Sequence, residues 1–172
     1  MATATRHAGH WAVLVPTVAR KRLIALAISP ALALLGVLIA PAVQAEAFGC
    51  NYLDNVNATV TVTDPGGTFK LSGQQTAGHY SGNTIQPSTT GVSAAGIEAQ
   101  CLLKLVATFD PRANPGPVDG IFGPMSQAAA EEVQDDVNTA GARILEDGMV
   151  GPQTWPWLRC EAQHEGCHFQ RL

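Results

Sequence analysis

The sequence predicts a mainly α protein, three short helices with an internal turn-helix repeat, preceded by a short β-like, irregular extension. Three observations carry this. An eight-residue pattern occurs twice, as Asp119-Gly120-Ile121-Phe122-Gly123-Pro124-Met125-Ser126 and, 28 positions on, as Asp147-Gly148-Met149-Val150-Gly151-Pro152-Gln153-Thr154. Apolar residues recur at spacings of three and four before the first copy and between the two. Further upstream, apolar and polar residues alternate instead.

The chain opens with a segment of another kind. Residues 1–45 hold four basic residues (Arg6, Arg20, Lys21, Arg22) and no acidic one. An apolar run from Leu23 to Ala40 follows and ends in Pro41-Ala42-Val43-Gln44-Ala45, the progression of a secretory signal peptide. Cleavage is expected after Ala45, or after Ala47 as a second site, so that the exported chain begins at Glu46 or Phe48. A retained anchor is the rival reading, since about 18 apolar residues just span a bilayer. Pro30, Pro41 and the small-residue exit favour cleavage, which leaves no stable membrane association.

Removing this segment leaves six of the ten basic residues against fourteen acidic ones, a net charge of −8. So acidic a chain is repelled by phosphate backbones, which argues against nucleic acid and other polyanions as ligands. All four cysteines, Cys50, Cys101, Cys160 and Cys167, lie in the exported part. An even count there predicts two disulfides, with three pairings open. Cys160, His164, Cys167 and His168 are the rival zinc set, but their spacing is irregular and exported thiols oxidise. No metal or other cofactor is expected.

Residues 46–90 form the extension and a polar linker. Val56, Ala58, Val60 and Val62 alternate with Asn57, Thr59, Thr61 and Thr63, the period of a half-buried strand. Asp64-Pro65-Gly66-Gly67 reads as a turn and Thr68 to Leu71 as a returning strand. From Ser72 to Thr90 the composition is that of a linker or adaptable loop.

Residues 91–160 form the helical domain, and 161–172 a C-terminal tail. Ser93 can cap a first helix in which Ile97, Cys101, Leu102 and Leu105 share a face. Each Asp-Gly closes a tight turn, and each Gly-Pro opens a helix, because proline at the first helical position gives up an N–H that has no partner anyway. Met125, Ala129, Val133 and Val137, with Ala128 beside them, line one side of the second helix; Glu131, Glu132, Asp135 and Asp136 lie on the solvent side. The third helix holds Trp155 and Leu158. Pro156 inside it predicts a bent or one-turn helix.

The doubled Asp-Gly-x-x-Gly-Pro-x-Ser/Thr unit, with Pro115-Gly116-Pro117-Val118 before it and Glu98-Ala99-Gln100-Cys101-Leu102-Leu103 in the preceding helix, resembles the peptidoglycan-binding domain of the three-helix type. The resemblance spans about residues 91–160. Tyr80-Ser81-Gly82-Asn83-Thr84 is also similar to a segment that often precedes this domain in actinobacterial secreted proteins. Gly96, Ala99 and Val133 depart from the family pattern, where larger or aromatic residues are usual, and the loop from Gln134 to Asp147 is longer than its common form.

The resemblance implies a small three-helix bundle. It implies a pairing of Cys101 with Cys160 and hence of Cys50 with Cys167. It further implies a secreted, monomeric, non-catalytic module that binds peptidoglycan, by its glycan or its stem peptide. The ligand surface is expected between the two turns, at Asp119, Phe122, Asp147, Val150, Trp155 and Trp157, with Trp157 as the exposed aromatic. Asp119 and Asp147 also read as turn caps rather than as a hydrolytic carboxylate pair. His164-Glu165-Gly166-Cys167 resembles the His-Gly-Cys motif of wall-crosslinking transpeptidases, but Glu165 interrupts it. Two other readings are an accessory subunit or remnant of a cell-wall hydrolase, and a disulfide-stapled secreted effector or inhibitor without wall affinity.

Overall fold

The computed structural model describes residues 48–172, so the segment expected to be a signal peptide lies outside the described residues. The alternating stretch folds as an antiparallel hairpin, β1 (Leu53–Asp64) with β2 (Gly67–Thr76). At its turn the Asp64 carboxylate accepts from the Gly66 N–H at 2.7 Å. A third strand, β3 (His168–Arg171), pairs antiparallel with Phe69 to Ser72 and makes the sheet order β1-β2-β3.

The helices are α1 (Ala94–Val106), α2 (Pro124–Thr139) and α3 (Thr154–Glu161). Ser93 caps α1 by accepting from the Gly96 N–H at 3.0 Å. Pro124 opens α2, as its position after Gly123 predicts. In the second copy the Gly151 carbonyl accepts from the N–H groups of Thr154 and Trp155, so Pro152 leads into α3 in the same way. Of the two forms expected, bent or one-turn, the one-turn form is excluded, since α3 has eight residues. Pro156 falls in its first turn, where a missing N–H costs little.

Ala99, Leu102, Leu103, Phe122, Ala129, Val133, Val150, Trp155 and Leu158 share one buried cluster to which all three helices contribute. The mainly α three-helix bundle expected from the sequence is nonetheless overturned. Phe69 and Leu71 of β2 are buried against Val137, Ala142, Ile144 and Trp157, so the sheet is a second layer packed on the helices and the protein is α+β. A hairpin alone is marginal in water. Burying a side chain such as Phe69 or Leu71 stabilises by about 1.5 to 3 kcal/mol each, which is what holds the sheet in place. Two residues placed on the buried side of α2, Met125 and Ala128, are exposed, while Glu131 and Asp135 face solvent as expected.

The disulfide pairing also differs from the expected one. Cys50 joins Cys101, and Cys160 joins Cys167. The reason is the path of the first described residues, which run beside α1: the Phe48 N–H donates to the Val118 carbonyl at 2.8 Å and the Asn51 N–H to the Ala77 carbonyl at 3.2 Å. Cys50 is thereby laid against α1, and Cys167 returns to the end of α3 to start β3. Two disulfides are compatible with an extracellular protein. Among the described residues no helix is long and apolar enough to cross a membrane.

The polar stretch from Ser72 to Thr90 is a structured part of the fold. Glu98 of α1 and Arg159 of α3 form a buried ion pair at 2.7 Å. The Glu98 carboxylate also accepts from the N–H groups of Ala77, His79 and Tyr80. Arg159 donates further to the carbonyls of Gln75, Tyr80 and Gly82 and to the Asn83 side chain. Every donor of the guanidinium is used, so the Tyr80-Ser81-Gly82-Asn83-Thr84 segment acts as a cradle for one buried cation.

Candidate functional site

The repeat is organised by two buried glutamines, one ahead of each turn. In the first copy, Gln100 of α1 accepts from the Gly120 N–H at 2.7 Å and donates to Asp119 Oδ1 at 2.8 Å, the Ile121 carbonyl at 3.0 Å and Ser126 Oγ at 3.1 Å. In the second, Gln134 of α2 accepts from the Gly148 N–H at 2.8 Å and donates to Asp147 Oδ1 at 3.2 Å, the Met149 carbonyl at 3.0 Å and Thr154 Oγ1 at 3.2 Å. Each node thus ties the preceding helix to the turn and to the start of the next helix. Gly120 and Gly148 hold φ of +76 and +68, the left-handed region that glycine enters without strain. A side chain at Gly96 would strike the Gly120 carbonyl, which explains the small residue there in α1.

Gln134→Leu is expected to keep the apolar volume but leave the buried Gly148 N–H without its partner, at about 1 to 3 kcal/mol; the Met149 carbonyl keeps the Gly151 N–H and Thr154 Oγ1. Thermal melts of this variant should show a clear drop, whereas a melting temperature equal to that of the parent would remove the node from the account.

Outside each node lies a shallow hollow, of about 190 Å³ at the first copy and about 260 Å³ at the second. Gln100, Pro115, Pro117, Asp119, Ile121, Gly123, Pro124, Met125 and Ser126 line the first; Gln86, Leu145, Asp147, Met149, Gly151, Pro152, Gln153 and Thr154 line the second. Seven positions of each lining differ by the same 28 residues that separate the two copies, so the hollows share one frame; Gln100 and Pro115 at the first and Gln86 at the second have no counterpart in the other. Each has one exposed apolar side chain, at different positions of the repeat: Met125, 60 % exposed, stands where the second copy has Gln153, and Leu145, 70 % exposed, where the first has Pro117. In each, Oδ1 of the aspartate is engaged, by Gln100 and the Ile121 N–H or by Gln134 and the Met149 N–H. Neither Oδ2 has a partner among the described residues, which leaves one carboxylate oxygen per hollow for a donor on a ligand.

Of the expected ligand residues, only Asp119 and Asp147 reach this surface. Phe122 and Val150 are buried in the helical core, as matching wedges from the two turns. Trp155 is buried as well, its Nε1 donating to the Ile85 carbonyl at 2.9 Å and its ring tilted against Tyr80. Trp157, expected as the exposed aromatic, is 1 % exposed. It packs edge-on against Phe69 at 5.3 Å and Phe169 at 5.8 Å, because the sheet covers the side of α3 that was expected to be free. The residues missed are Gln100, Gln134, Met125 and Leu145. Leu145 pairs with Pro117 under the 28-residue offset, two positions before each Asp-Gly, and that offset is the signal that points to it.

Cys167 is bonded to Cys160 and so has no free thiol for metal or nucleophile. Searches against protein-family models, curated proteins and solved structures find no match to the chain.

Proposed function

We propose that the protein is a secreted, non-catalytic module that binds peptidoglycan through the two hollows. The observation that supports this reading is their shared frame: a polymer that repeats is served by a surface that repeats, and each hollow offers an exposed apolar side chain and one free carboxylate oxygen. That combination suits N–H and O–H donors beside the apolar face of a sugar or a methyl group. Binding of this kind depends on contact and hydrogen bonding rather than on net charge, in keeping with an acidic chain.

The test is a double variant, Met125→Ser with Leu145→Ser. Both side chains are exposed, so the fold should be kept and the melting temperature should stay within a few degrees of the parent's. Burying such a side chain against a ligand is worth about 1.5 to 3 kcal/mol. Loss of both rims should therefore weaken retention on purified peptidoglycan at least tenfold. Unchanged retention in a folded double variant would remove the hollows from the binding surface.

A further inference from the structure

We infer that a cleft along the open edge of β1 is a second binding site, and that it takes a short peptide in extended conformation. The cleft is about 400 Å³, and one of its walls is five consecutive residues of β1, Val60 to Asp64. Successive residues of a strand point to opposite faces, so a hollow on one face of the sheet would collect alternate residues only. Five in a row place this hollow against the edge of the strand. β1 is outermost in the order β1-β2-β3, and that edge is unpaired. Antiparallel pairing turns the N–H and C=O of every second residue away from β2, so the edge offers a row of backbone donors and acceptors. The opposite wall is Asn83 and Thr84, held by the Arg159 cradle, with Pro152, Pro156 and Trp157 at the start of α3.

Two buried polar atoms of the lining residues lack a partner among the described residues. They are Nε1 of Trp157, a donor, and Oδ2 of Asp64, an acceptor. Oδ1 of the same Asp64 is already engaged by the Gly66 and Arg143 N–H groups. Buried polar atoms are nearly always hydrogen-bonded, and a ligand is one explanation for such exceptions. A peptide supplies what both atoms lack, a carbonyl for the indole and an N–H for the carboxylate. It also matches the strand edge at backbone spacing, the mode of recognition in which an extended segment adds to a sheet. Asp64 is the single charged side chain in the lining. It favours an amine or amide beside it and disfavours a phosphate. On the wall-binding reading above, on which this identity rests, the peptide is the stem peptide, and the hollows are left to the glycan.

The experiment uses the disulfide-intact protein labelled with ¹⁵N. It is titrated with stem peptides released from purified peptidoglycan and, separately, with peptide-free glycan strands. The peptides should shift the Trp157 indole N–H and the amides of Val60 to Asp64, while the glycan strands should leave these resonances in place. Thr84→Trp, a substitution at an exposed position in the facing wall, should block the cleft and abolish those shifts. The inference is overturned if the peptides leave these resonances unmoved, if glycan strands move them instead, or if Thr84→Trp binds peptide as the parent does. Co-sedimentation with intact peptidoglycan separates the two ideas. Retention without peptide shifts overturns the cleft and leaves the wall reading standing, whereas peptide shifts without retention support a peptide cleft and remove the wall reading.

Discussion

Arg159→Ala is expected to lower the stability of the protein by about 3 to 5 kcal/mol, the usual cost of removing one partner of a buried ion pair. The cost is high because Glu98 would remain in the interior with its charge unmatched, and because five bonds from the guanidinium to the pair and the cradle disappear together. Buried ion pairs can often be replaced by apolar residues of similar size without loss. This one differs. Glu98 also accepts from the Ala77, His79 and Tyr80 N–H groups, so Glu98→Leu with Arg159→Met would leave three backbone donors stranded. The double variant should therefore fail to recover the loss. Chemical denaturation of parent, single and double variants checks this, and a double variant as stable as the parent would show the backbone contacts to be unimportant.

The second large effect comes from the disulfides, which should contribute unequally. Cys50–Cys101 spans 51 residues and Cys160–Cys167 spans 7. In the chain-entropy model the first is worth about 4 kcal/mol and the second about 2 kcal/mol. Cys50→Ser with Cys101→Ser should accordingly unfold the protein at markedly lower denaturant than Cys160→Ser with Cys167→Ser. Against the roughly 5 to 15 kcal/mol expected of a whole domain, the first loss is a large fraction. The order of the two midpoints is the readout, and a reversed order would contradict the assigned loop lengths.

What the sequence could and could not show follows from which forces are local. Ser93, Pro124 and the Asp64-Pro65-Gly66-Gly67 turn act within a few residues of themselves, and the starts of α1 and α2 and the hairpin were legible from them. β3 was not: His168 to Arg171 carries no strand pattern, and its pairing depends on Cys160–Cys167 bringing the tail back beside β2. The two tryptophans illustrate the same limit. Two positions apart on a helix, Trp155 and Trp157 face nearly opposite directions, and only the presence of a sheet on the second side turns Trp157 from a surface residue into a core one. The Ser72 to Thr90 stretch reads as a linker because the groups that order it, Glu98 and Arg159, are 61 residues apart. The repeat itself was legible, and so were its aspartates. The hollows outside it were less so, because Phe122 and Val150 turn inward and leave Met125 and, ahead of the second copy, Leu145 at the rim.

Binding of peptidoglycan by the two hollows, as proposed, depends on apolar contact and short-range hydrogen bonding rather than on net charge. Co-sedimentation of the disulfide-intact protein with purified peptidoglycan, at low and at moderate salt, tests it most directly. The protein should pellet with the wall at both salt concentrations, since contacts of this kind are little affected by screening. Protein that stays in the supernatant at both would contradict the account, and protein released by the higher salt alone would show that charge, not the twin hollows, holds it.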